Sequence, residues 1–259
     1  MTPLTNELGQ AVGDPVPGWT PRPRPGTGPF HGRFCTVVAL APEHAEELYD
    51  ATHGPGTEGL WTYLAGLPGP FPDAAGLAAA IEHQVADPAS ESMAVLVDGR
   101  AEGLASFLRI DTANGSVEIG GILLGTRLRR TTAANEALYL MARHALDELG
   151  YRRYEWKCDA LNVPSRVAAE RLGFTYEGTF RNAMVTKGRN RDTAWYSITA
   201  EEWPPLRTAY ESWLDPASFD EDGRQRVSLR TLTAAARKRQ DRSDGGTGVP
   251  HSGTPGIIA

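Results

Sequence analysis

The stretch "ALNVPSRVAAERLGFTYEGTF" (residues 160–180) contains a short helix that runs into a strand. Asn162 is a natural N-cap, and Pro164 fits a first helical turn, where its missing N–H costs nothing. The spacing predicts one apolar face made of Val167, Ala168 and Leu172. Gly173 then stops the helix before Phe174 opens the next strand. Ser165 shares the first turn with the cap. Capping alone accounts for Asn162, Pro164 and Ser165, and a chemical role for the serine stands beside it.

Upstream, "RRYEWKCDAL" reads as a strand, preceded by a helix from Ala133 to Leu149. There Leu138, Met141, Ala142, Ala145 and Leu149 follow helical spacing, with Gly150 placed as the C-cap. Before that helix, "SMAVLVDGRAEGLASFLRID" divides into two strands at Asp98-Gly99, a tight-turn dipeptide. Asn114-Gly115 turns the chain again into "SVEIGGILLG", so three consecutive strands form a meander. Nearer the start, "RFCTVVAL" is β-rich and "APEHAEELYDA" helical. "LWTYLAGL" and "DAAGLAAAIEHQVAD" are helical or loop-rich, with Asp73 as an N-cap. "DTAWYSITAEEW" ends the sheet. No internal repeat is evident, and the pattern describes a mixed α/β domain whose strand order it does not fix.

The 259 residues carry a net charge of −6 with a pI near 5.6, which argues against a partner held through nucleic-acid phosphates. No stretch approaches the roughly 20 apolar residues of a membrane span, and the N-terminus lacks the basic and apolar regions of a secretory signal. Two cysteines, Cys35 and Cys158, are too few for a disulfide scaffold, and no Cys/His spacing suggests a metal. These features predict a cytoplasmic protein without a metal site. Residues 1–30 are rich in Pro and Gly and read either as a disordered leader or, with Trp19 and the regular prolines fitting this as well, as an extended strap lying on the domain. The main domain is expected over 31–205 and a helical extension over 206–235. Its Trp203, Trp213 and Leu214 would pack on the domain or on a second copy in a homodimer. A disordered tail is expected over 236–259.

One loop stands out chemically. "GTRLRRTTAANEA" (residues 125–137) joins a buried-looking strand to the long helix. A helix entered this way exposes unpaired backbone N–H groups and the positive end of its dipole. Arg127, Arg129 and Arg130 would add charge-assisted bonds to phosphate oxygens. On spacing alone a solvated basic loop fits as well. The glycines of a Walker or dinucleotide fingerprint are absent.

The order strand, strand, strand, basic loop, long helix, strand, "N-x-x-S" helix and "LGF-x-x-EG" strand resembles the GNAT acyltransferase superfamily, and within it the RimJ/RimL-type branch. The specific match is "N-x-P-S-R-x-A-A-E-R-L-G-F-x-x-E-G", and the resemblance covers roughly residues 30–205. It implies an α/β fold: a mixed, mainly antiparallel central sheet with a splayed parallel strand pair, flanked by helices. It also implies acetyl-CoA as co-substrate. The family's phosphate loop, Q/R-x-x-G-x-G/A, falls on Arg129-Arg130-Thr131-Thr132-Ala133-Ala134, where Thr132 replaces the glycine. The implied splayed strands are 117–124 and 153–159. Backbone groups around Ile122, Leu123 and Leu124 would hold the pantetheine arm and polarise the thioester carbonyl. Asn162 would contact that arm or hold the helix end near it.

The implied reaction is direct attack of a neutral amine, of a small molecule or a peptide N-terminus, on the thioester. The family's usual acid, a tyrosine four residues before the "GF" glycine, is replaced here by Ala169. In the RimL-type branch the "N-x-x-S" serine lies near the sulfur, which makes Ser165 the candidate acid. Glu118 on the splayed strand is the candidate base, ahead of Glu177, which could equally brace the sheet, and Asp192, which could equally stabilise a turn. Trp61, Tyr63 and Phe71 lie where this fold walls the acceptor site, although core packing is the ordinary role of each. Thr132 and Ala169 also admit a rival of another class, a coenzyme-A-binding sensor or interaction module with impaired catalysis.

Overall fold

The computed structural model describes residues 4–244, so the end of the expected tail lies outside the described residues. Strands β1 (Leu4–Thr5) and β2 (Ala11–Val12) pair only with each other. The main sheet starts with β3 (Phe30–His31) and β4 (Thr36–Ala39). Helices α1 (Ala45–Thr52) and α2 (Ala74–Val85) follow, then the meander β5 (Glu91–Val97), β6 (Arg100–Asp111) and β7 (Ser116–Leu124). After helix α3 (Thr132–Arg143) come β8 (Arg153–Asp159), α4 (Val163–Arg171) and the hairpin β9 (Thr175–Thr186) and β10 (Arg189–Thr199). Helices α5 (Trp203–Leu214) and α6 (Leu229–Asp244) close the described chain, α6 running past residue 236, where the sequence suggested disorder. The eight strands lie in the order β3-β4-β5-β6-β7-β8-β10-β9, antiparallel throughout except for β7 and β8.

Local chemistry explains the boundaries. Asp73 caps α2 by accepting from the Gly76 N–H at 2.8 Å. Asp98 (φ 48°) and Gly99 (φ 79°) both take the left-handed conformation that a two-residue hairpin needs. Helices α1 and α2 cover one sheet face through a cluster containing Leu48, Leu77, Ile81, Leu104 and Leu123. Helix α3 covers the other, against Val37, Phe107, Val117 and Tyr154.

Two elements depart from the sequence-based pattern. The spacing on α3 predicted one apolar face, yet every residue from Ala133 to Ala142 is buried. Its second face is covered by α5, where Tyr139 and Tyr210 stack with centroids 5.1 Å apart, and by the segment after β3. That segment donates the N–H groups of Arg33, Phe34 and Cys35 to the Glu136 carboxylate at 2.8, 2.6 and 3.1 Å. On α4 the buried residues are Ala169 and Leu172, while Val167 is 40% exposed. Val167 lies two residues from Ala169, about 200° round the helix, and so cannot share its face.

Both the N-terminal strap and the C-terminal helices are docked on the sheet domain. The Trp19 indole N–H donates to the Ala113 carbonyl at 2.8 Å, and Tyr151 donates to the Pro23 carbonyl at 2.9 Å. Trp203 and Trp213 are buried within the chain rather than presented to a second copy. Helix α6 ties down the α4–β9 corner: Thr233 donates to the Arg171 carbonyl at 2.9 Å, and Arg237 reaches the Gly173 carbonyl and pairs with Glu202 at 2.7 Å. No described helix is long and apolar enough to cross a membrane.

Candidate active site

The parallel ladder between β7 and β8 joins Ser116 to Arg153, Val117 to Tyr154 and Glu118 to Glu155, and then stops. Beyond it each strand stays paired on its outer side, β7 with β6 as far as Leu124 and β8 with β10 as far as Asp159. The two strands therefore diverge into a wedge that opens toward their C-terminal ends. A bulge bends β7 at this point: from Leu123 to Gly120 it spends one residue more than β6 does from Leu104 to Ser106, and Gly121 (φ 59°) sits inside it. Ile122 shares the bulge with Gly121, and Leu123 and Leu124 follow it. The Leu123 side chain is buried toward α1 and α2, which leaves only its backbone along the wedge.

Two helix N-termini meet the open end. Loop 125–131 leads from β7 into α3, where the Thr131 hydroxyl accepts from the Ala134 N–H at 3.2 Å. The amides of Thr132 and Ala133 have no partner among the described residues. Arg129 and Arg130 are exposed at this entrance with no ion pair among the described residues, whereas Arg127 is engaged: its Nε donates to both Glu102 oxygens (2.9 and 3.0 Å) and a terminal nitrogen to Asp50 at 3.0 Å. Arg127 thus anchors the loop to α1 and β6. The left-handed residue here is Arg130 (φ 64°), and Thr132 sits in the first helical turn, where the backbone does not require glycine. Arg171, from the end of α4, donates to Asn135 at 3.2 Å. Burial, with the Arg230 and Arg130 charges nearby, pulls its guanidinium below the usual value. The sequence concealed this basic cluster because Arg171 and Arg230 come from helices remote from the loop.

Asn162 caps α4, accepting from the Ser165 N–H at 3.1 Å. The Ser165 hydroxyl accepts from the Trp156 indole N–H at 3.0 Å and lies in reach of the Cys158 thiol. An oxygen that accepts from an indole keeps its own proton free to donate. Trp156 is the first β8 residue past the ladder, so Ser165 stands on the α4 side of the wedge. Ala169 is fully buried, and no tyrosine stands there.

Glu118 faces the opposite side. It is 6% exposed, and the Lys157 ammonium lies 2.5 Å and the Arg109 guanidinium 3.9 Å from its carboxylate. Burial pushes the Glu118 carboxyl above the usual carboxylate range, and the Lys157 charge opposes the rise. Burial likewise pulls Lys157 below the usual lysine value. A Cβ at Gly120 would lie 2.9 Å from the Glu118 Oε1, so the carboxylate extends along β7 toward the wedge over the space that glycine leaves. The other two carboxylates have structural partners. Glu177 takes two parallel bonds from Arg153 (2.7 and 2.6 Å) and one from Ser197 at 2.7 Å, bracing β8, β9 and β10. Asp192 accepts from the Asn182 N–H at 2.7 Å and from Asn190 at 3.0 Å within the β9–β10 hairpin.

The aromatic wall is layered. Trp61 is 2% exposed and donates its indole N–H to the Thr52 carbonyl at 3.2 Å. Phe71 meets it edge-on at 5.7 Å. Tyr63 is half-buried and donates to the Leu161 carbonyl at 3.4 Å, linking this wall to the start of α4. Lys187, at the hairpin tip, reaches the Trp61 carbonyl from the other side. Tyr63 and Lys187 thus tie the 57–72 loop to the start of α4 and to the hairpin, with Trp61 as the buried support.

A family model described as "Acetyltransferase (GNAT) domain" matches residues 36–175. A solved GCN5-related N-acetyltransferase from Brucella melitensis shares 40% identity and superimposes with a TM-score of 0.81, covering 85% of this chain and all of that one. The "Putative ribosomal N-acetyltransferase YdaF" of Bacillus subtilis is 28% identical over 120 residues, 46% of this chain. The "Uncharacterized N-acetyltransferase p20" of Bacillus licheniformis is 32% identical over 101 residues, 39% of this chain. The matched segments span 65% and 56% of the lengths of these two curated relatives.

Proposed function

This chain belongs to the GNAT acetyltransferase family, and from that premise we propose that it is an acetyl-CoA-dependent N-acetyltransferase acting in the cytoplasm on a primary amine. The observation that carries the reading is the wedge between β7 and β8, with a free helix N-terminus and unpaired arginines at its mouth. Those groups fit the coenzyme. The Thr132 and Ala133 amides, with Arg129 and Arg130, would take pyrophosphate oxygens. The β7 backbone at Ile122 to Leu124, released from β8, would bond the pantetheine amides. Bound acetyl-CoA supplies an activated acyl group on a thiolate leaving group.

The remaining roles belong to this chain's own side chains. Glu118 accepts a proton from the attacking nitrogen on one face of the sheet. Ser165 donates a proton toward the sulfur on the other, its hydroxyl oriented by Trp156. A base beside the amine and a donor beside the sulfur suit direct attack without a covalent enzyme intermediate. The relative named as a ribosomal N-acetyltransferase supports a protein or peptide amine among the candidate acceptors.

Calorimetric titration with acetyl-CoA, compared with free coenzyme A, tests the reading. Micromolar binding is expected, and Arg129→Ala should weaken it about tenfold, on the scale of one charge-assisted bond. Ser165→Ala should leave binding in place and lower turnover with peptide or small-molecule amines about 10²-fold. Absence of binding would remove the transferase reading, and unchanged turnover in Ser165→Ala would return that residue to a capping role.

A further inference from the structure

Lys157 has no role in the reaction as described so far, yet its ammonium occupies the acceptor side of the wedge mouth. It lies 2.5 Å from the Glu118 carboxylate and 4.6 Å from the centroid of the Trp195 ring, its cross-strand neighbour on β10. Arg109, held at φ 48° in an irregular stretch of β6, adds a second cation 3.9 Å from Glu118 and 5.4 Å from the same indole. The charged groups facing Glu118 are Arg109 from β6 and Lys157 and Glu155 from β8, and β10 contributes only the Trp195 ring. Glu155 is itself paired with Arg153 at 2.6 Å. One carboxylate and two cations therefore stand at the mouth, and the immediate surroundings of the proposed base are net positive.

A buried carboxylate by itself would do the wrong thing for amine acetylation. It would attract the acceptor as an ammonium ion, stabilise that charge and suppress the lone pair needed for attack. Alternatively it would take up a proton from solvent and cease to be a base. Lys157 works against both outcomes.

We infer that Lys157 is a positioning and specificity-determining residue: it keeps Glu118 ionised and, with Arg109, excludes the ammonium form, so that the acceptor enters as the neutral amine. The inference rests on the transferase reading above for its chemical consequence. In the step it serves, the nitrogen lone pair forms the N–C bond, the C–S bond breaks and the sulfur carries off its electron pair. One N–H proton passes to Glu118, and the thiolate gains a proton from Ser165, which is restored from solvent as Glu118 releases its own. The reactants are an amine and a thioester, and the products an amide and a thiol.

Two readouts separate this role from simple structural support. The first is titration of the Glu118 carboxyl by carbon-13 NMR in glutamate-labelled protein without coenzyme, with Glu118→Gln identifying the resonance. In Lys157→Met the carboxyl should titrate at least about one pH unit higher than in the wild type, because the opposing charge is gone and the burial remains. Lys157→Arg should stay near the wild-type value. The second is the pH profile of kcat/KM with primary amines of graded basicity. The acidic limb should follow the acceptor's own pKa in the wild type and in Lys157→Arg, and should cease to follow it in Lys157→Met, where the ammonium form is no longer excluded. Identical Glu118 titration in Lys157→Met and wild type would overturn the inference. So would equal losses in Lys157→Met and Lys157→Arg with no change of profile. A shifted titration in a protein that binds no acetyl-CoA would uphold the role of Lys157 and remove the transferase reading instead.

Discussion

At Gly120 one absent methyl group governs where the Glu118 carboxylate can lie. A Cβ there would stand 2.7 Å from Leu108 and 2.9 Å from the Glu118 Oε1, so Gly120→Ala should push the carboxylate off the wedge mouth. Turnover is expected to fall at least about tenfold while calorimetric acetyl-CoA affinity stays within a factor of two, because the coenzyme loop lies beyond the bulge. In the sequence, the resemblance alone pointed to Ser165 as acid and a place on the splayed strand pointed to Glu118 as base, and both roles stand as proposals. Lys157 was overlooked, although the alternation of "RYEWKCD" places Arg153, Glu155 and Lys157 on one face of β8. Periodicity shows that such residues share a face. It does not show that the two strands diverge just there, so that a lysine past the ladder reaches back to the glutamate at its end. Arg127 illustrates the converse: its type and loop suggested a phosphate, and Glu102 and Asp50 take its Nε and one terminal nitrogen.

Among the elements, the C-terminal half of the sheet depends on polar bracing because α1 and α2 do not cover it. The Arg153–Glu177 pair, with Glu155 and Ser197, crosses β8, β10 and β9 on this face. The Arg153 guanidinium holds the Glu177 carboxyl below its usual range. A depressed carboxylate contributes stability that is present above its unfolded-state pKa and is lost as pH falls through its folded-state pKa. Glu177→Gln should therefore destabilise the protein by about 1 kcal/mol at neutral pH, a figure discounted for the partial exposure of the pair. The difference should vanish in acid, and urea unfolding of both proteins across pH would measure it. Helix α3 shows why element boundaries were easier to read than burial: caps such as Asp73 and Asn162 act locally, whereas the second apolar face of α3 is defined by α5, some 70 residues later in the chain.

Over the whole molecule, the two terminal extensions act as clamps on the acetyltransferase core. The Trp19 indole packs on Gly115 at the β6–β7 turn, under the Arg22 guanidinium 4.4 Å away. Trp19→Ala should cost about 2 kcal/mol of packing and hydrogen bonding, lowering Tm by roughly 4–8 °C for a domain of this size. Acetyl-CoA affinity, measured by calorimetry on the same variant, should not change, since the strap meets the sheet at the end opposite the wedge. From its sequence alone this protein's secondary-structure order, its turns at Asp98-Gly99 and Asn114-Gly115, its helix caps and its family were determined, because each is set by neighbouring residues or by a contiguous motif. Tertiary structure alone decided the order of the strands, the point where β7 and β8 part, the convergence of Arg171 and Arg230 on the α3 entrance and the pairing of Lys157 with Glu118. Those features depend on distances between residues far apart in the chain, which are fixed only when the sheet twists, bulges at Gly121 and buries its two faces against different helices.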